Sequence, residues 1–216
     1  MSPGPFRASP TRPHIPTVTA PLAPLAQPTT TLREALRAST HSRHEALDRA
    51  LMPPGACWTR DRYVRFLRGT LSVVEALEPA IAARLPDTWP IEAPSRTARL
   101  RLDLGALGDD AVVAPPIAPA LTDRAESFGA AYVLEGSMLG GQYVAQAVAR
   151  DLALDGGGLS YLRPPGIAIG PRWKAFVGAL EAFGAASTAA EWQAAETAAD
   201  ATFTAFADAF GREGLI

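Results

Sequence analysis

The 216 residues carry a net charge of −2, with 48% hydrophobic and 19% charged residues, the balance of a globular chain long enough for one domain with its own core. So small a charge gives no electrostatic reason to expect nucleic acid, and no run of eighteen apolar residues offers a membrane span. The N-terminus lacks the pattern of a secretory signal, and one cysteine, Cys57, excludes an intramolecular disulfide and fits a reducing cytoplasm.

Residues 1–30 hold eight prolines and no helical or strand pattern, so they read as a disordered, extended tail ahead of a domain over 31–216. Thr29-Thr30-Thr31 can supply an N-cap for a helix from Leu32 to Leu51, stopped by Pro53-Pro54. A second helix starts near Thr59, carries Tyr63, Phe66, Leu67, Leu71, Val74 and Leu77, and is expected to end before Pro79, with a short packed segment from Ala80 to Leu85. After a proline-rich loop over 86–95, Leu100, Leu104 and Leu107 mark a helix from Arg96 to Leu107. A second loop spans 109–121. A long helix over 124–154 follows, broken by Gly156-Gly157-Gly158 and Pro164-Pro165-Gly166. Pro171 suits the first turn of a helix with Trp173, Phe176 and Leu180. The last helix runs from Thr188 or Ala190 to Phe210, with Phe203, Phe206 and Phe210 in its second half. No sustained period-two alternation and no internal repeat occurs, so the fold class is all-α.

The helix over 124–154 contains Gly129, Gly136, Gly140 and Gly141, which together cost roughly 2–4 kcal/mol relative to alanine. At 100° per residue, Gly129, Gly136 and Gly140 fall within about 40° of one another. The result is a side-chain-free strip, open to close approach by another helix or by a flat ligand. Gly141 points about 100° away from Gly140, so the tandem pair suggests a local unwinding or bend.

Three histidines, His14, His41 and His44, do not make an ordinary multi-histidine metal cluster. On the first helix, with Leu32 at zero, Leu36, Leu47 and Leu51 point to about 40–100°, and His44 at about 120° lies on the shoulder of that apolar face. Thr40, Arg37 and Asp48 fall beside it. An imidazole at the core's edge with an arginine two turns away can ligate a haem iron while the cation meets a propionate, or can be an ordinary hydrogen-bonded histidine.

Taken together, the two helices resemble the haem oxygenases. Leu36-Arg37, Thr40, His44 and Leu47-Asp48 are similar to that family's proximal helix. Gly136, three residues and Gly140-Gly141-Gln142 are similar to its distal helix. The preceding Tyr132-Val133-Leu134-Glu135 resembles the bacterial branch that accompanies bacteriophytochromes. Tyr63 to Leu67 with Glu78, and Leu100-x-x-Asp103-Leu104-x-x-Leu107-Gly108, add to the match, which covers residues 30–212 in order.

The resemblance implies a single-domain haem-oxygenase-like bundle with haem between a proximal and a distal helix. Haem is then both cofactor and substrate, opened with O2 to biliverdin, carbon monoxide and ferrous iron. Electrons come from a ferredoxin or a reductase, since no flavin or nicotinamide fingerprint is present, and a bacteriophytochrome is a possible biliverdin acceptor. His44 is implied as the axial ligand, with Asp48 the acceptor for its second nitrogen. Arg37 and Lys174 are implied at the propionates, Thr40, Tyr132 and Gly141 along the pocket, and Phe203 and Phe210 as its aromatic wall. Gly136 and Gly140 would set the distal geometry.

Ser137 departs from the aspartate that many members carry there, which leaves Glu135, Ser137 and Gln142 as candidates for proton delivery. That departure also keeps open a carrier or sensor that holds haem on the same fold without degrading it. An unrelated helical interaction module, with the glycines serving a helix crossing, is the third reading.

Overall fold

The computed structural model describes residues 30–89, 92, 94–110, 115–154 and 157–216, together with Met1 and Gly4. The proline-rich tail expected over 1–30 therefore lies outside the described residues apart from those ends. Six helices and no strand are found among the described residues: α1 (Leu32–Leu51), α2 (Arg60–Arg84), α3 (Arg96–Ala106), α4 (Arg124–Leu152), α5 (Ile169–Ala186) and α6 (Ala189–Arg212). None is long and apolar enough to cross a membrane.

Local chemistry starts most of these helices where the sequence places them. Thr31 and Thr188 each form a reciprocal capping box, with Glu34 and Glu191. Thr59, Ser95 and Asp123 cap α2, α3 and α4 through their side-chain oxygens. The Glu78 carboxylate adds to the start of α3, accepting from the backbone N–H groups of Arg96 at 2.9 Å and Thr97 at 3.1 Å. These bonds lock α2 to α3 across the proline-rich loop.

Two local expectations are corrected. Pro79 does not end the second helix: α2 continues through it to Arg84. Pro79 lacks one backbone donor, but Leu77 and Ile81 on either side of it are fully buried, and their burial holds the helix together. Nor does α4 unwind at Gly140-Gly141, where the backbone stays α-helical throughout.

α6 forms the spine against which α1, α2 and α4 pack. Its buried face is largely alanine (Ala195, Ala198, Ala199, Ala205, Ala209), so neighbouring helices come close. The tightest approach is at Gly129 of α4, where a Cβ would lie 2.0 Å from the carbonyl oxygen of Ala195. Similar fits recur at Gly69, whose Cβ would meet the Phe210 ring at 2.6 Å, and at Gly184, whose Cβ would meet that of Leu32 at 2.6 Å.

α1 is held differently along its length. Its buried residues are Leu32, Leu36, Thr40 and Leu51, and from His41 to Asp48 only Leu47 is even partly buried. The stretch that carries His44 is thus the least covered part of the helix.

The glycines of α4 make opposite predictions. Gly129→Ala pushes a methyl into an immovable backbone carbonyl and should destabilise the ligand-free chain by about 1–3 kcal/mol in urea unfolding. A Cβ at Gly140 meets nothing within 4 Å. Gly140→Ala should accordingly stabilise the chain by about 0.5–1 kcal/mol, the ordinary gain in helix propensity.

Candidate functional site

Three glycines share one face of α4, but their surroundings change along it. Gly129 is closed by α6, as above. At Gly136 a Cβ would touch only the Trp173 ring, at 3.9 Å, and at Gly140 it would stand in open space. Helix crossing therefore accounts for Gly129 and for neither of the other two. The backbone from Gly136 to Gly140 is open on that face.

The candidate cleft is the space that α1 and α4 leave between them. α1 and α4 both pack on α6 while making little direct contact with each other. Burial pushes the Tyr132 phenol of α4 up, and the Arg33 and Arg37 charges of α1 act the other way, so the first turns of α1 lie near that part of α4. Both helices start at the same end of the fold: Leu32 packs on Gly184, just ahead of α6, and Gly129 packs on Ala195 near the start of α6. Seven residues beyond Arg37, about 10 Å along the axis and on the same helix face, comes His44. The position seven residues beyond Tyr132 on α4 falls between Gly136 and Gly140, the counterpart of His44 if the two helices run side by side.

The His44 ring is oriented by two contacts. Its Nδ1 lies 3.4 Å from the Asp48 carboxylate, one turn on, and its edge meets the Phe203 ring of α6 at 5.7 Å and an 88° interplanar angle. The Asp48 contact occupies Nδ1 and leaves Nε2 as the nitrogen turned to other partners. The His44 side chain is 58% exposed, so the imidazole stands at an accessible wall.

The three polar candidates on α4 differ sharply. Glu135 is buried and clamped: Arg172 donates to it from Nε at 2.7 Å and Nη2 at 2.6 Å, and Arg96 from Nη2 at 3.0 Å. Gln142 is engaged through its side-chain N–H with the Leu162 carbonyl at 2.9 Å. Ser137 alone of the three is exposed, its hydroxyl donating to the Leu134 carbonyl at 2.8 Å. Behind it lies Tyr161, whose phenol is pushed up by burial, with Arg96 and the Ser137 hydroxyl acting in the opposite direction.

The clamp on Glu135 belongs to a buried charge cluster that the sequence reading missed. Arg96, Arg99 and Arg172 surround Glu92 and Glu135, and the Trp89 ring lies 4.5 Å under the Arg96 guanidinium. A usable signal did exist, since Arg96 and Arg99 sit three apart, next to Leu100, on the face that packs inward. Beside it, Asp103 accepts from the backbone N–H groups of Ser160 and Tyr161, both at 2.8 Å, and Tyr63 donates to the Gly158 carbonyl at 2.7 Å. These bonds hold the loop after α4 against α2 and α3.

The other residues expected at the site have distinct surroundings. Gly141 is buried, and a Cβ there would meet Leu162 at 3.3 Å, on a different side of α4 from Gly140. Phe210 is stacked on Phe66 at 5.6 Å between α6 and α2, so of the two phenylalanines only Phe203 meets His44. Thr40 is buried and donates to the Leu36 carbonyl at 2.7 Å, its hydroxyl directed into its own helix. Arg37 and Lys174 are exposed, Lys174 following Trp173 on α5.

Neither a family model nor a curated protein sequence matches this chain. Solved structures do. The NO- and CO-bound haem oxygenase from Neisseria meningitidis superposes with a TM-score of 0.70 at 24% identity, covering 85% of this chain and 92% of that one. The haem oxygenase from Leptospira interrogans gives 0.68 at 20% identity, covering 84% and 99%. The chain has the fold of these haem oxygenases.

The charge cluster yields a stability prediction. Arg172→Met leaves Glu135 buried with Arg96 as its remaining partner and removes one of the cations on Glu92. The expected loss is about 3 kcal/mol in chemical unfolding, the lower end for breaking a buried ion pair. Arg101→Met at the exposed pair with Glu75 should cost less than about 1 kcal/mol.

Proposed function

We propose that this protein binds haem in the cleft between α1 and α4 and opens it oxidatively to biliverdin, carbon monoxide and ferrous iron, as a haem oxygenase. The observation that carries the reading is the pairing of an oriented, accessible imidazole on one wall with bare helical backbone on the other. The residues fit the group. A lone histidine does not hold a free metal ion, and among the described residues no set of three His, Cys, Asp or Glu is arranged to do so. A ligand that brings its own equatorial donors removes that difficulty, and a flat one needs the absence of side chains at Gly136 and Gly140.

Haem bound there supplies the redox-active iron and the macrocycle that is consumed. His44 holds it through Nε2, and Asp48 keeps the Nδ1 proton and the ring angle in place. Phe203 packs on the imidazole edge and keeps water from that side. Arg37 and Lys174 stand exposed, where they can meet the propionates as charged partners. Gly136 and Gly140 let the α4 backbone approach closely. The Ser137 hydroxyl donates to the Leu134 carbonyl and is also hydrogen-bonded to the buried Tyr161 phenol, so it ties that phenol to the strip. Reducing equivalents come from an external donor such as a ferredoxin or reductase, and biliverdin leaves for an external acceptor.

One observation favours a second reading. A neutral Ser137 in the position where a carboxylate is expected weakens proton delivery, which suits a carrier or sensor that holds haem intact.

Titration with haem tests both. The unaltered chain should give a Soret band that is lost or strongly shifted in His44→Ala; its absence sinks both readings. With a ferredoxin system or ascorbate in air, the band should bleach and biliverdin should appear by chromatography, whereas intact haem under both reductants favours the carrier. Gly140→Ala, expected to stabilise the ligand-free chain, should weaken haem binding about tenfold, the effect of a modest clash of about 1.4 kcal/mol.

A further inference from the structure

Tyr143 is a large aromatic left in solvent by the fold, with 76% of its surface exposed. It follows Gly136 by seven residues and Gly140 by three, which places it within about 60° of both on the same face of α4. That face is thus bare from Gly136 to Gly140 and bounded by an aromatic at each end. At the Gly136 end is Trp173, fixed in place by Tyr132 and Phe176 at ring distances of 5.8 Å each. At the other end Tyr143 has no ring contact or side-chain hydrogen bond among the described residues, and Leu139 beside it is 37% exposed. Exposed leucines and tyrosines occur singly on most surfaces. An aromatic standing at the open end of a bare strip that faces the cleft is a different case, because a flat body lying on Gly140 extends under it.

We propose that Tyr143 is a positioning residue for the flat ligand: its ring packs on the outer rim of the bound macrocycle, slows its release and fixes its rotation in the cleft. The assignment rests on the proposed haem site and goes beyond it. Trp173 is ordered before the ligand arrives and sets one edge. Tyr143 is ordered by the ligand and closes the other. Because the ring is exposed beforehand, its removal takes nothing from the ligand-free fold.

The test is haem release, measured by transfer from the loaded full-length chain to an excess of apomyoglobin. Tyr143→Ala should release haem up to about tenfold faster, the scale of one aromatic packing contact, with the unfolding midpoint of the ligand-free chain unchanged. Tyr143→Phe should keep the slow rate, since the ring and not the hydroxyl makes the contact. Among products, Tyr143→Ala should broaden the distribution of biliverdin isomers. Unchanged release in Tyr143→Ala overturns the assignment and leaves the haem site standing, as does Tyr143→Phe releasing as fast as Tyr143→Ala. Absence of a His44-dependent Soret band in the unaltered chain overturns the site and this assignment together.

Discussion

The approach of Gly129 to the Ala195 carbonyl sets the distance between α4 and α6, and the cleft follows from that distance. With a side chain at 129 the two helices would separate, and the part of α4 beyond Gly129 would swing relative to α6 and to the histidine that α6 supports through Phe203. Close packing transmits such a shift because the interior has no slack to absorb it. A single missing methyl group at one end of α4 thus fixes where the bare backbone at its middle lies.

The same helix is held from behind by charge. Burying three arginines and two glutamates costs several kcal/mol per ion in desolvation, and mutual pairing offsets most of that cost. Such a cluster is weak evidence of stability, yet it is directional: Arg172 can satisfy Glu135 and Glu92 only if the start of α5 sits at one angle to α4. That angle carries Trp173 to Gly136. Apolar packing places the front of the helix, and the guanidinium geometry places the residue that covers its edge.

Much of this was legible in the sequence. Helix ends could be read because Thr31, Thr188, Asp123 and Ser95 state their capping chemistry locally. His44 and Asp48 could be paired because both lie on one helix, where spacing is geometry. Pro79 misled, since its local cost is outweighed by long-range burial of Leu77 and Ile81. The glycine strip was read as one feature although its members meet different neighbours, and no wheel diagram distinguishes Gly129 from Gly140. The Arg–Glu cluster was legible only in part, through Arg96 and Arg99 on the inward face of α3. Its members come from α3, α4, α5 and the loop at Glu92, and nothing local reveals that they converge.

The sparse covering of α1 between Thr40 and Leu51 has a consequence of its own. The middle of that helix is tied to α6 by the Arg43–Asp200 ion pair and the His44–Phe203 contact, and very little by apolar burial, so its outer side stays open to solvent. If haem binds there as proposed, covering that stretch and binding the ligand would be one event. A ligand consumed by its own binding site would hand that stretch back to solvent at the close of each cycle.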